Sequence, residues 1–183
     1  KDEEKAKKDG QSKGPIYCMN GFYESMRETY INATTINYFV VEWDSNVTSW
    51  SDFLGSVIGD RDPSKADPAS IRGTIYSEWE SFGLSEPPNV RDNVMHASAS
   101  ALEALKERLL WCRGALINTD LYGARLLGAK IPSSTIKAWI DGNPIVYPQD
   151  MNVFDVVTGM NSDECLIKLS EIDAMNKSME KVQ

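Results

Sequence analysis

The chain has 183 residues, of which 42% are hydrophobic and 25% charged, with a formal net charge of -8 and a pI near 4.7. That length suits one domain of ordinary size with an appendage, and the acidic balance argues against nucleic acid or an anionic membrane surface as principal partner, since both need clustered Lys and Arg. No stretch reaches the roughly 18 apolar residues of a membrane span and no signal-peptide pattern opens the chain, so a soluble, cytoplasmic protein with no membrane partner is expected.

Residues 1–14, KDEEKAKKDGQSKG, mix charges and glycine without apolar periodicity and read as a flexible charged segment. From Asn20 the pattern turns helical, with Tyr23, Met26 and Tyr30 at spacings of three and four. Ile36 to Trp43, INYFVVEW, is aromatic and β-branched and reads as a buried strand. Trp50, Phe53, Leu54, Val57 and Ile58 then form the apolar stripe of an amphipathic helix, with Gly59 as its stop. Residues 59–73, GDRDPSKADPASIRG, cannot continue either regular structure and predict an ordered loop.

Tyr76 to Pro88 reads as an insertion ending in an extended Pro-Pro. Val90, Val94 and His96 share one face if the segment is a strand. Ser100-Ala101-Leu102-Glu103 has the form of a capping box, and Leu102, Leu105, Leu109 and Cys112 continue it as a helical stripe. Further on, Thr119 to Leu127 and Ser133 to Ile140 read as short capped helices, DGNP as a turn and Val153 to Val157 as extended. Ser162 to Ala174 reads as a helix with Cys165, Leu166, Leu169 and Ile172 on one face. Packing or a subunit contact is the expected role of residues 113–183. Cys18, Cys112 and Cys165 are widely spaced with no CxxC, which fits a reducing compartment and neither a disulfide framework nor a zinc site.

His96 is the single histidine, and a neutral imidazole is both a good nucleophile near neutral pH and able to pass on what it accepts. It lies about four residues, roughly 13 Å of strand, before the helix that Ser100 opens, and Glu107 lies roughly 10 Å of rise into that helix. A helix folding back along the strand returns Glu107 to the level of His96. A carboxylate on one ring nitrogen would fix the tautomer and leave the other nitrogen as nucleophile.

Together these residues resemble the nucleoside diphosphate kinase family. The matching segments are Gly59 to Gly73, with G-D-R-D-P and P-A-S-I-R-G for the family's G-x-T-x-P and P-G-T-I-R-G, and Asn93-Val94-Met95-His96-Ala97-Ser98-Ala99-Ser100 for N-x-x-H-G-S-D-S. A glutamate follows eleven residues after the histidine, here Glu107. The resemblance covers roughly residues 20–112. It implies a ferredoxin-like α/β sandwich, incomplete at its N-terminus, over residues 15–112, with an α-rich C-terminal extension over 113–183.

It also implies a phosphohistidine relay from a nucleoside triphosphate to a nucleoside diphosphate, with Mg²⁺ on the phosphates, in a homo-oligomer. By this resemblance His96 carries the phosphoryl group and Glu107 orients it. Arg72 meets the phosphates, Asn93 the sugar hydroxyl and Val90 the base. Ser98 supports the histidine, and Tyr23 matches a tyrosine near the phosphates.

The departures are specific. The family's H-G-S-D-S reads H-A-S-A-S here, and Gly55 stands where a second phosphate-binding arginine would be, with Arg61 as the candidate replacement. The family's K-P-D strand has no counterpart upstream of Pro15. The competing expectation is a catalytically weakened module that keeps the site's outline and serves as a structural or regulatory binding domain.

Overall fold

The computed structural model describes residues 21–33 and 35–180. The chain forms two compact units, Lys1–Ile36 and Asn37–Gln183. The charged segment expected at 1–14 and Cys18 lie outside the described residues. In the first unit, the helix expected from Asn20 is α1, Gly21–Asn32. Tyr23 and Tyr30, expected on one face of it, are both exposed.

The second unit is α-rich, and its one sheet among the described residues is a two-stranded antiparallel ladder. Its elements in chain order are α2 (Trp50–Asp52), a π-helical continuation (Phe53–Ile58), α3 (Ile71–Ser77), α4 (Ala101–Trp111), α5 (Leu121–Gly128) and α6 (Ser133–Gly142). Then come β1 (Ile145–Val146), β2 (Met151–Asn152), α7 (Val153–Val157) and α8 (Ser162–Glu180). In the ladder Ile145 faces Asn152 and Val146 faces Met151.

Four expectations are corrected. Ile36 to Trp43 has strand composition but forms no ladder with other described residues. A strand exists only where a neighbour takes its N–H and C=O groups, and composition cannot supply that neighbour. Phe39 and Val40 in this segment are accordingly exposed. Residues 90–96 are not a strand either: Val94 has a φ of 66° and the Met95 N–H returns to the Asn93 carbonyl at 2.9 Å, which turns the chain.

Val153–Val157 is a short helix, because the Asn152 side chain accepts the Phe154 N–H at 2.9 Å and caps it. The loop expected over 59–73 becomes helical at Ile71, where Ser70 Oγ accepts the Gly73 N–H. A Cβ at Gly73 would run into the Asp67 carbonyl, so glycine is what lets α3 start against that backbone. The described residues therefore do not themselves assemble the four-stranded sheet of a ferredoxin-like sandwich.

The stripe expected at Trp50 to Ile58 is helical but winds wider than α. The Gly59 N–H bonds the Leu54 carbonyl five residues back, and Gly59 ends the turn at a φ of 99°. The wider turn shifts the register, so Ile58 is buried while Val57 faces outward. Trp43 packs over this segment, 4.3 Å from the Phe53 ring and nearly parallel to it.

The core runs across position 112, where a domain boundary was expected. Leu102 and Leu105 of α4 share one cluster with Tyr122 and Leu126 of α5 and with Ile136 and Trp139 of α6. Val153 and Val157 of α7 join it, as do Cys165, Leu169 and Ile172 of α8. Residues 113–183 are thus the packing partners of α4. Burial of each large apolar side chain contributes about 1.5–3 kcal/mol, so the two leucines hold α4 firmly.

Arg108 of α4 is also tied to Asp120 through Nε at 2.6 Å and Nη2 at 3.0 Å. Asp120 in turn caps α5 by accepting the Tyr122 and Gly123 N–H groups. The helix carrying Glu107 is thus anchored by both the core and this ion pair.

Candidate active site

Ser100 caps α4 as expected, its Oγ accepting the Glu103 N–H at 3.2 Å. The helix then folds back beside the preceding loop. His96 Nε2 lies 2.5 Å from Glu107 Oε1, and Ser98 Oγ donates to Glu107 Oε2 at 2.5 Å. The expected meeting of His96, Glu107 and Ser98 is present, although a turn and not a strand brings the histidine there.

The His96 side chain is 67% exposed and that of Glu107 26%. The hydrogen bond that Nε2–H donates to Glu107 raises the imidazole pKa above its ordinary value, with partial burial and Arg72 opposing. Burial pushes the Glu107 carboxyl upward, but the bonds from His96 and Ser98 prevail and hold it below the usual range. When the imidazole is neutral, Nε2 keeps its proton on the carboxylate and Nδ1 presents a lone pair.

Arg72 is 7% exposed on the first turn of α3, a buried cation whose side chain bonds backbone carbonyls. It donates through Nη1 to the Gly59 carbonyl at 2.8 Å and through Nη2 to the Met95 carbonyl at 2.9 Å, one residue before His96, while its Nε is unpartnered. Burial lowers its pKa, and the like charge of Arg61 lowers it further. The Asp60 carboxylate opposes both, so Arg72 lies near one cation and one anion of the 59–62 segment.

Asn93 joins that segment by donating from Nδ2 to the Arg61 carbonyl at 3.3 Å. Val90 is exposed on the turn before it and takes no part in the hydrogen-bonded group. Tyr23 belongs to the first unit and is exposed there.

Residues outside the expected set hold the loop after His96. Trp50 Nε1 donates to the Ser98 carbonyl at 2.9 Å, and the Gly159 N–H donates to the Ala99 carbonyl at 2.8 Å. The Ala99 N–H donates to Glu103 Oε2 at 2.5 Å. The capping-box spacing of Ser100 and Glu103 was the legible signal for the last; the others join residues 48 and 60 positions apart, which no local pattern encodes.

His96, Glu103 and Glu107 bring potential metal-ligand atoms within 4.8 Å of one another. Both carboxylates already accept hydrogen bonds, from His96, Ser98 and Ala99, so this group reads as an internally satisfied network. Such a network fits Mg²⁺ poorly as an all-protein cage, since that ion keeps most of its waters and binds mainly through substrate phosphates.

Among the described residues no helix is long and apolar enough to cross a membrane. Comparison with models of protein families, with characterised proteins and with solved structures finds no match to this chain.

Proposed function

We propose that this chain is a phosphotransferase of the nucleoside diphosphate kinase type, working through His96. The observation that carries the reading is the 2.5 Å contact of His96 Nε2 with a glutamate whose other oxygen Ser98 holds. It commits one ring nitrogen and frees the other on an exposed face.

The Nδ1 lone pair of neutral His96 attacks the terminal phosphorus of a nucleoside triphosphate. The bond to the bridging oxygen breaks, its electron pair leaves with the diphosphate, and Nε2 keeps its proton on Glu107. Attack by a terminal oxygen of a second nucleoside diphosphate reverses the step.

Mg²⁺ arriving on the phosphates supplies charge neutralisation. On the protein, Arg72 and Arg61 supply positive potential beside the loop, and Arg61 takes the place of the charge absent at Gly55. Asn93 is assigned the sugar hydroxyl, Val90 the base and Ser98 the support of Glu107. The ferredoxin-like fold and a homo-oligomer belong to the same reading.

A second reading, a binding module without turnover, is favoured by one observation. Both terminal nitrogens of Arg72 are already bonded to backbone carbonyls, which makes that arginine a tether first and a phosphate ligand second.

Incubation with ATP labelled on its terminal phosphate, with Mg²⁺, separates the two. The kinase reading expects acid-labile, base-stable label that moves to added GDP and is absent in His96→Ala. Nucleotide binding with no label in the intact protein overturns it in favour of the module.

A further inference from the structure

We propose that Glu103 is a positioning residue of the His96 site. By holding the Ala99 amide, its carboxylate fixes the turn that presents Ser98 to Glu107 and thereby keeps Glu107 on one ring nitrogen of His96.

The chain of contacts is continuous. Glu103 Oε2 accepts the Ala99 N–H at 2.5 Å, Ser98 precedes that amide, and Ser98 Oγ donates to Glu107 Oε2 at 2.5 Å. Glu107 Oε1 completes it at His96 Nε2.

Both glutamates project from α4, whose neighbouring Leu102 and Leu105 are fully buried, so the core fixes the two carboxylates relative to each other. In an ordinary capping box the third-position carboxylate returns to the amide of the capping residue. Here it reaches one residue further, past Ser100 to Ala99, next to the serine that Glu107 needs.

With Trp50 on the Ser98 carbonyl and Gly159 on the Ala99 carbonyl, Glu103 is the third point that holds this turn. The loop would otherwise leave a half-buried N–H without a partner, and Ser98 free to swing away.

The charged groups that act on His96 are Glu107 and Glu103 from α4 and Arg72 from α3. Both carboxylates favour the imidazolium and Arg72 disfavours it. Glu103 therefore acts on the imidazole through the turn and through its charge, and two substitutions separate them. Glu103→Gln keeps an acceptor for the Ala99 N–H and removes the charge, whereas Glu103→Ala removes both.

The proposal rests on the phosphohistidine reading only for its effect on rate. Because His96 is the single histidine, nitrogen and carbon NMR of the full chain report its tautomer and titration without overlap. The intact protein is expected to show the Nε2–H tautomer and a titration above 6.5. Glu103→Gln is expected to keep the tautomer, titrate lower and phosphorylate within about threefold of wild type.

Glu103→Ala is expected to titrate lower, lose part of the Nε2–H population and phosphorylate about tenfold more slowly in a single turnover, at unchanged nucleotide affinity. A wild-type tautomer ratio and titration in Glu103→Ala overturn the proposal. If that variant does not fold, Glu103→Asp, which keeps the charge on a side chain too short to reach the Ala99 N–H, takes its place, and a wild-type tautomer ratio there overturns the proposal equally. A shifted tautomer in a protein that takes up no phosphate supports the positioning role and counts only against the phosphohistidine reading.

Discussion

Glu107 holds His96 with one carboxylate oxygen and Ser98 with the other, each at 2.5 Å. The imidazole pKa is raised above 6.5 by that bond, against partial burial. The nucleophile is the neutral form, so the rate of phosphoryl uptake should climb as pH rises through a value above 6.5. Glu107→Gln should shift this rising limb to lower pH and reduce its plateau at least about tenfold. A single-turnover pH profile of both proteins checks it. Linkage bounds the stability on both sides: the pair's contribution is complete between the unfolded carboxyl and unfolded imidazole values, and disappears as pH climbs through the raised imidazole value or falls through the depressed Glu107 one.

Trp50 donates its indole N–H to the Ser98 carbonyl, and its own backbone N–H is taken by Asn161 Oδ1 at 2.8 Å. The start of α8 is thereby linked to the loop of His96. Trp50→Phe keeps an aromatic ring against Trp43 but removes the donor. It should lower unfolding stability by about 1 kcal/mol in urea titration and slow phosphorylation while leaving nucleotide affinity unchanged.

Arg72 bridges two carbonyls with a rigid fork, which a lysine cannot do. Arg72→Lys keeps the charge but should lose about 1–3 kcal/mol of stability and raise KM for the nucleotide. Denaturant titration and steady-state kinetics on the same preparation test both parts, and a stable variant with unaltered KM would remove Arg72 from the account.

Asp120 receives both Arg108 and the first amides of α5, with a side chain only 6% exposed. Burial alone would raise its pKa, but Arg108 and the two amides hold it below the ordinary carboxyl value. A depressed carboxyl contributes stability that is complete above its unfolded pKa and vanishes as pH falls through the folded one. Asp120→Ala should therefore cost about 3 kcal/mol at neutral pH and flatten the loss of stability on acidification, measured by urea unfolding at several pH values.

The meeting of His96 with Glu107 was legible because both ends are local: a capped helix of known rise and a short approach to it. Three of the four helices of the C-terminal part were legible for the same reason, since stripes such as Cys165, Leu169 and Ile172 lie within one element, whereas Val153–Val157 was read as extended. The strands were not. Ile36 to Trp43 has every compositional mark of a strand, yet a strand depends on a distant partner. Val94 turns the chain where alternation alone suggested extension. The bridge that Arg72 makes was not legible, because its partners Gly59 and Met95 come from segments whose paths no periodicity reveals. Glu103 was visible as a cap, but its reach past Ser100 depends on the turn at Ala99.

The most direct test of the central claim is the site of phosphorylation on the imidazole. Protein labelled with ¹⁵N-histidine is incubated with ATP and Mg²⁺, and phosphorus–nitrogen couplings are read at alkaline pH. With Nε2 held by Glu107, the account predicts phosphate on Nδ1 of His96. Phosphate on Nε2, or no phosphohistidine at all, would contradict it.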